Sequence, residues 1–243
     1  MIMTIGCIIQ ARMGSSRLPE KVLRKLDDKN TVLDYVIDQI SNCKLIDKII
    51  VATTNLKEDD KIEVLTKNKN ILCFRGNSSD VLDRYYQCAK LYSLSVIIRI
   101  TADNPLIDPN IVEKIISEFQ SGSYDYISNG LVRTFPYGTD TEIFSFDALG
   151  KSWKNAKKDD EREHVTPYFY RNPEKFRIYN VKHVPDLSHI RLTVDQIEDF
   201  IFVKTIASKI NKRPILMNDI LNLLTDEPEL LDINKNVIHR HIK

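Results

Sequence analysis

"SVIIRITADNPLIDPNIVEKIISEFQ", residues 95–120, holds in one piece the unit that decides the fold. Its first half is a nearly unbroken apolar run, the pattern of a strand covered on both faces, and it ends in the polar tip Thr-Ala-Asp-Asn-Pro. Pro109 then opens a helix, a position where its missing N–H is harmless, and "NIVEKIISEFQ" spaces its apolar residues at helical period. A buried strand followed by an amphipathic helix is half of a βαβ unit. The same alternation extends back to the start of the chain. Thr4–Gln10 reads as a buried strand, 31–43 as a helix with Val32, Leu33, Val36, Ile37 and Ile40 on one side, and 47–54 as a strand. "EDDKIEVLTKN" reads as a helix, "ILCF" at 71–74 as a short strand, and Ser78 and Ser79 precede a helix carrying Val81, Leu82, Tyr85 and Ala89. Strands joined by amphipathic helices predict an α/β fold of the Rossmann-like, doubly wound type, with a mostly parallel sheet between helices.

Beyond residue 122 the order becomes mixed. "SYDYISN", "YGTDTEIFSF" and "KFRIYNVKHV" read as strands, "EREHVTPYFYR" between them as a helix, "HIRLTVD" at 189–195 as a last strand, then a helix over 196–209 and helical structure from Met217 onwards. The expectation is one domain over 1–243, with residues 130–185 forming a small mixed β/α extension. A length of 243 residues with 42% hydrophobic content can bury one substantial core. A net charge of +1 gives no global field toward nucleic acid or an anionic membrane, so any polyanion must be held locally. Cys7, Cys43, Cys73 and Cys88 show no C-x-x-C pairing and lie in apolar patterns, as reduced cysteines of a cytoplasmic protein do. There is no secretory h-region and no apolar stretch of membrane-spanning length.

Ligands of such sheets bind beyond the carboxyl ends of the strands. After the first strand comes "ARMGSSRLPEK", residues 11–21, where Gly14 frees the backbone, Ser15 and Ser16 offer amides and hydroxyls, and Arg12, Arg17 and Lys21 add charge suited to phosphate oxygens. The loop is neither G-x-x-x-x-G-K-[ST] nor G-x-G-x-x-G. A solvated loop with surface ion pairs is the alternative, and the position directly after a buried strand favours phosphate binding. Asp103 ends a strand before Pro105, where capping the next turn is an ordinary role for Asp. Asp195 precedes a helix, where it is a natural N-cap. Both acids finish strands at the same sheet edge and can converge on one hard cation.

The stretch "IIQARMGSSRLPEKVL" resembles the N-terminal signature of the CMP-sugar synthetase superfamily of cytidylyltransferases, in particular the branch of spore coat polysaccharide biosynthesis protein F. "RGNSSDVLDRY", "RITADNPLIDP", "REHVTPYFYRNPEKF" and "RLTVDQIEDF" extend the resemblance, in order, over most of the chain. It implies that Arg12, Ser15, Arg17 and Lys21 hold the triphosphate of CTP or another nucleoside triphosphate, and that Ala11 and Gly14 are nucleotide-binding too. It further implies that Arg75 and Asn77, with Asp103, serve nucleotide recognition, and that Asp103 and Asp195 bind Mg2+. Arg12, Lys21, Asp103 and Asp195 are then the expected catalytic set. The family also implies a homodimer formed through residues 130–185 and a role in surface polysaccharide biosynthesis.

The second substrate belongs to the middle region. Asp140 and Glu142 share one strand face by period two, and Glu163, His164 and Thr166 fall within about one helical turn. Surface salt bridges for the acids and a helix-start role for the histidine are the plainer readings. Taken with the resemblance, the five are the expected binding residues for an anionic acceptor: an acidic sugar, a sugar phosphate or a related phosphorylated compound. The chemistry that fits is in-line nucleotidyl transfer releasing pyrophosphate, which needs positioning and charge neutralisation more than covalent help. A glycosyltransferase is the rival, weakened by the lack of any Asp-x-Asp element, Asp140-Thr141-Glu142 being the nearest approach. A non-catalytic nucleotide-binding protein ranks last.

Overall fold

A computed structural model describes residues 3–238. The first half alternates as the apolar pattern predicts: β1 (Ile5–Gln10), α1 (Val32–Ile40), β2 (Lys48–Thr54), α2 (Asp60–Asn68), β3 (Leu72–Gly76), α3 (Val81–Leu91), β4 (Val96–Thr101) and α4 (Pro109–Ser121). The second half supplies β5 (Tyr126–Ser128), β6 (Glu142–Ser145), α5 (Phe146–Asn155), α6 (Asp159–His164), α7 (Pro167–Tyr170), β7 (Ile178–Asn180), α8 (Ile197–Lys209) and α9 (Met217–Asp226). Local chemistry marks the helix starts. Thr31 accepts from the Asp34 amide while Asp34 accepts from the Thr31 amide, closing a capping box, and Asp108 accepts from the Asn110 and Ile111 amides ahead of Pro109.

One seven-stranded sheet runs in the order β3-β2-β1-β4-β6-β5-β7. The strands β3, β2, β1 and β4 are mutually parallel, β6 is antiparallel to β4 and β5, and β7 pairs parallel with β5. Alternate residues of β1 face opposite layers. Cys7 and Ile9 point to a core with α1 and α4, while Ile8 points to a second core with α3, α5 and Phe169 of α7. A third cluster packs α8 and α9 against α1 and the segment 187–194, through Leu192, Val194, Phe202 and Ile220. Among the described residues, no helix is long and apolar enough to cross a membrane.

Three expectations are corrected. "HIRLTVD" is no strand of the sheet, since its pairing is a single bridge between Arg191 and Tyr137. Main-chain bonds hold it extended instead, Leu192 N to Tyr137 O at 2.6 Å and Val194 N to Asp103 O at 2.7 Å. Only residues 142–145 of "YGTDTEIFSF" form a strand, and a helix not foreseen, α5, begins at Phe146 with the Ser145 hydroxyl accepting from the Ala148 amide. The helix expected over "EREHVTPYFYR" breaks in two at Val165, whose φ is 72°. Helical structure from Met217 is realised over Met217–Asp226 and a 3-10 stretch, Pro228–Ile233; its last five residues, 239–243, lie outside the described residues.

Candidate active site

Strand order reverses between β1 and β4, and there Gln10 and Thr101 stand side by side in register. A doubly wound sheet opens its crevice at such a point, because consecutive crossovers leave in opposite directions. The basic loop after Gln10 and the Asp103 turn after Thr101 therefore flank one hollow. The third wall is the extended segment, whose Val194 amide and Thr193 hydroxyl both donate to the Asp103 carbonyl, at 2.7 and 3.2 Å. Gly138 lets the chains approach this closely, because its φ of 96° and a Cβ contact of 2.4 Å with the Thr193 nitrogen exclude other residues. So Asp195 reaches the strand tips without belonging to a strand.

The charged groups meet at one point. Lys21 Nζ lies 2.7 Å from Asp103 Oδ2 and 3.2 Å from Asp195 Oδ1, and Arg17 lies 2.7 Å from Asp195. Burial alone would raise the Asp103 pKa, but the charge of Lys21 and hydrogen bonds from Lys21 and Thr101 outweigh it and hold the carboxyl below its ordinary value. Burial conversely disfavours the Lys21 ammonium, and the two carboxylates more than offset it, so its pKa is raised. Behind the junction, Asp199 is fully buried. Its carboxylate accepts from Arg191 at 2.8 and 3.0 Å and from the Asp195 and Gln196 amides at 3.1 and 3.0 Å, which fixes Asp195 at the start of α8.

Two cavities share this junction. One, about 220 Å³, is lined by Gln10, Arg12, Gly14, Ser15, Ser16 and Arg17 with Lys21, Asp103 and Asp195. Asp59, fully buried, holds the base of its loop by accepting from the Met13 amide at 2.7 Å. The other, about 670 Å³, takes Arg17, Thr101, Asp103 and Asp195 as its shared wall and extends past Asp140, Glu142, His164 and Thr166. The two acids of this extension each have an arginine partner, Arg133 for Asp140 and Arg99 for Glu142. The plain salt-bridge reading of these acids is thus realised, and it is realised inside the cavity wall. His164 is held below the ordinary histidine pKa, first by burial, so its imidazole is neutral near pH 7.

Four expected site residues line neither cavity. Arg75 spends its guanidinium on Asp60, Glu63 and the Thr54 and Leu56 carbonyls. Asn77 caps its own turn through the Ser79 and Asp80 amides, Ala11 is buried with its amide on the Ala52 carbonyl, and Glu163 is absent from the wall that His164 joins. Sequence reading passed over Arg99, Arg133, Arg191, Asp199 and Asp59. Arg99 alone carried a visible signal, a charge inside the apolar run of β4.

A switch-point crevice with a cationic loop on one side and paired acids on the other defines a Rossmann-like nucleotidyltransferase. The chain belongs to the cytidylyltransferase family, whose model matches residues 6–219. It is 34% identical over 233 residues to spore coat polysaccharide biosynthesis protein SpsF of Bacillus subtilis, covering 91% of this chain and 94% of that one. An uncharacterised protein of Methanocaldococcus jannaschii is 40% identical over 237 residues, covering 97% and 96%. A solved cytidylyltransferase from Leptospira borgpetersenii superposes with a TM-score of 0.92 at 33% identity, over 99% of this chain and 100% of that chain. CMP:2-keto-3-deoxy-manno-octonic acid synthetase, solved with CTP, shares the fold at a TM-score of 0.63 and 16% identity, over 85% and 99%.

Proposed function

We propose that the protein transfers CMP from CTP to a small anionic acceptor, an acidic sugar or sugar phosphate for surface polysaccharide, with release of pyrophosphate. The observation that carries this reading is the junction itself. Two acids far apart in the chain converge on Lys21 where the hollow of about 220 Å³ beside the basic loop meets the cavity of about 670 Å³. Arg12, Arg17 and Lys21 would hold the β- and γ-phosphates, with the Ser15 and Ser16 side of the loop closing round them. Asp140, Glu142, His164 and Thr166 would orient the acceptor so that its oxygen lies in line with the α-phosphorus. In the step, the acceptor oxygen bonds to that phosphorus, the bond to the bridging oxygen breaks, and the pyrophosphate leaves with its charge held by the basic loop.

The acids fit magnesium. Both present hard carboxylate oxygens to one cation, the Lys21 ammonium, at 2.7 and 3.2 Å, and a magnesium ion would take oxygens of the same two acids. No group of three or more His, Cys, Asp or Glu able to hold a metal occurs among the described residues, so phosphate and water oxygens would have to complete the shell. When bound, Mg2+ would neutralise phosphate charge and lower the proton affinity of the attacking oxygen. We place the homodimer contact on residues 130–185, to be read from sedimentation. The test of function is to incubate the protein with each nucleoside triphosphate, magnesium and acidic sugar acceptors and measure pyrophosphate. Acceptor-dependent pyrophosphate from CTP supports the reading. Nucleoside diphosphate released from a nucleotide sugar, without pyrophosphate, contradicts it.

A further inference from the structure

Arg84, in the second turn of α3, is fully buried, at 0% exposure. Its stem packs on Gly76, where an added Cβ would meet the Arg84 Cγ at 2.9 Å. NH1 donates to the Asn77 carbonyl at 2.8 Å, while Nε and NH2 find no hydrogen-bond partner among the described residues. Nor does any carboxylate there form a salt bridge with it. Burial lowers its pKa most, Arg12 acts in the same direction and Tyr85, Asp59 and Cys88 act against it, yet an arginine stays charged at neutral pH. Its place in the fold is specific. The next residue, Tyr85, donates to the Ile8 carbonyl of β1 at 3.3 Å, and Asn77 follows the end of β3. Arg84 therefore sits at the end of β3, and its neighbour in α3 is bonded to β1, the strand from which the basic loop leaves.

A buried ion with no carboxylate in contact carries a large desolvation penalty, which Asp59 offsets only from beyond salt-bridge distance, and apolar residues of similar volume commonly replace buried charges without loss of stability. Packing alone thus gives no reason for a guanidinium at this position. We propose that Arg84 is an electrostatic residue of the polyphosphate site, adding fixed positive charge behind Arg12 without touching the ligand. The proposal rests on the phosphate reading of the basic hollow. Its competitor is a purely structural role, holding the Asn77 carbonyl.

The two separate with inorganic pyrophosphate as the probe, titrated with magnesium into the full chain by calorimetry, so that neither base nor acceptor needs to be known. Unit charges roughly 10 Å apart in protein interact by an amount equivalent to about tenfold in binding. Arg84→Met is expected to bind pyrophosphate about tenfold more weakly while unfolding at the parental temperature or above. Arg84→Lys, which keeps the charge and loses the fork, is expected to stay within about threefold of the parent. Parental affinity in Arg84→Met overturns the proposal, as does Arg84→Lys binding as weakly as Arg84→Met. Failure of Arg84→Met to fold assigns the charge to structure and also overturns it. A parent protein that binds no pyrophosphate would instead remove the phosphate site itself, and the proposal with it.

Discussion

Asp199→Ala probes the support of the junction. The carboxylate is fully buried and accepts five hydrogen bonds: two from Arg191, two from the Asp195 and Gln196 amides, and one from Asn234 at 3.1 Å. Removing one partner of a buried ion pair costs about 3–5 kcal/mol, and losing the helix-start bonds about 1 kcal/mol more, so about 4 kcal/mol is expected once the terms overlap. For a chain of this size that is a fall of roughly 8 °C in Tm. A second effect follows from Arg191, which still has Asp195 at 3.7 Å. Deprived of Asp199, Arg191 draws Asp195 away from Lys21 and Arg17, and turnover falls even at temperatures where the variant is folded. Circular dichroism melts, paired with pyrophosphate release well below the melting range, measure both. A Tm within about 2 °C of the parent would refute the assigned support.

Asp103→Ala and Lys21→Ala should fold and lose turnover by about a hundredfold or more, as removal of a preorganised charge at a reacting phosphate does; near-parental turnover of Asp103→Ala in magnesium would remove the metal assignment. The Asp103–Lys21 pair sets a pH window. Asp103 is depressed in the fold, so its contribution is present above its unfolded pKa near 4 and fades as pH falls through the lower folded value; Lys21 is raised, so its contribution is complete below about 10 and fades as pH rises through the higher folded value. Melts between pH 3 and pH 11 should show that plateau, with the acid-side loss reduced in Lys21→Met. Gly138→Ala should destabilise by roughly 2 kcal/mol or more, since φ is 96° and the new Cβ meets Thr193 N at 2.4 Å; denaturant unfolding reads it, and an unchanged midpoint would show that the segment 190–195 adapts freely.

Periodicity made the first half of the fold legible, because each strand there is buried on both faces and each helix has one apolar side. It misled where tertiary contacts override local pattern. The apolar residues of "HIRLTVD" face α8 and α9, so an alternating stretch that reads as a strand packs as an extended segment beside Asp103 and pairs with the sheet nowhere. "YGTDTEIFSF" reads as one strand because the β-like run carries on past Ser145, which in fact caps α5. Convergence of Arg17, Lys21 and Asp103 could be anticipated from strand ends at a common edge, whereas Asp195 joins them from an extended segment that is no strand. Asp199 and Asp59 could not, since a buried acid in a charged stretch looks like a solvated one until its partners are placed. For Arg75 the reverse holds. The resemblance implied a nucleotide contact for it, and in β3 its guanidinium is taken by Asp60 and Glu63 of the neighbouring helix.

Crystals grown with Mn2+ and CTP test the central claim most directly. The expected result is an anomalous peak between the Asp103 and Asp195 carboxylates, with Lys21 and Arg17 turned onto the β- and γ-phosphates beside the loop 12–17. A triphosphate bound elsewhere, or manganese held without either acid, would contradict it.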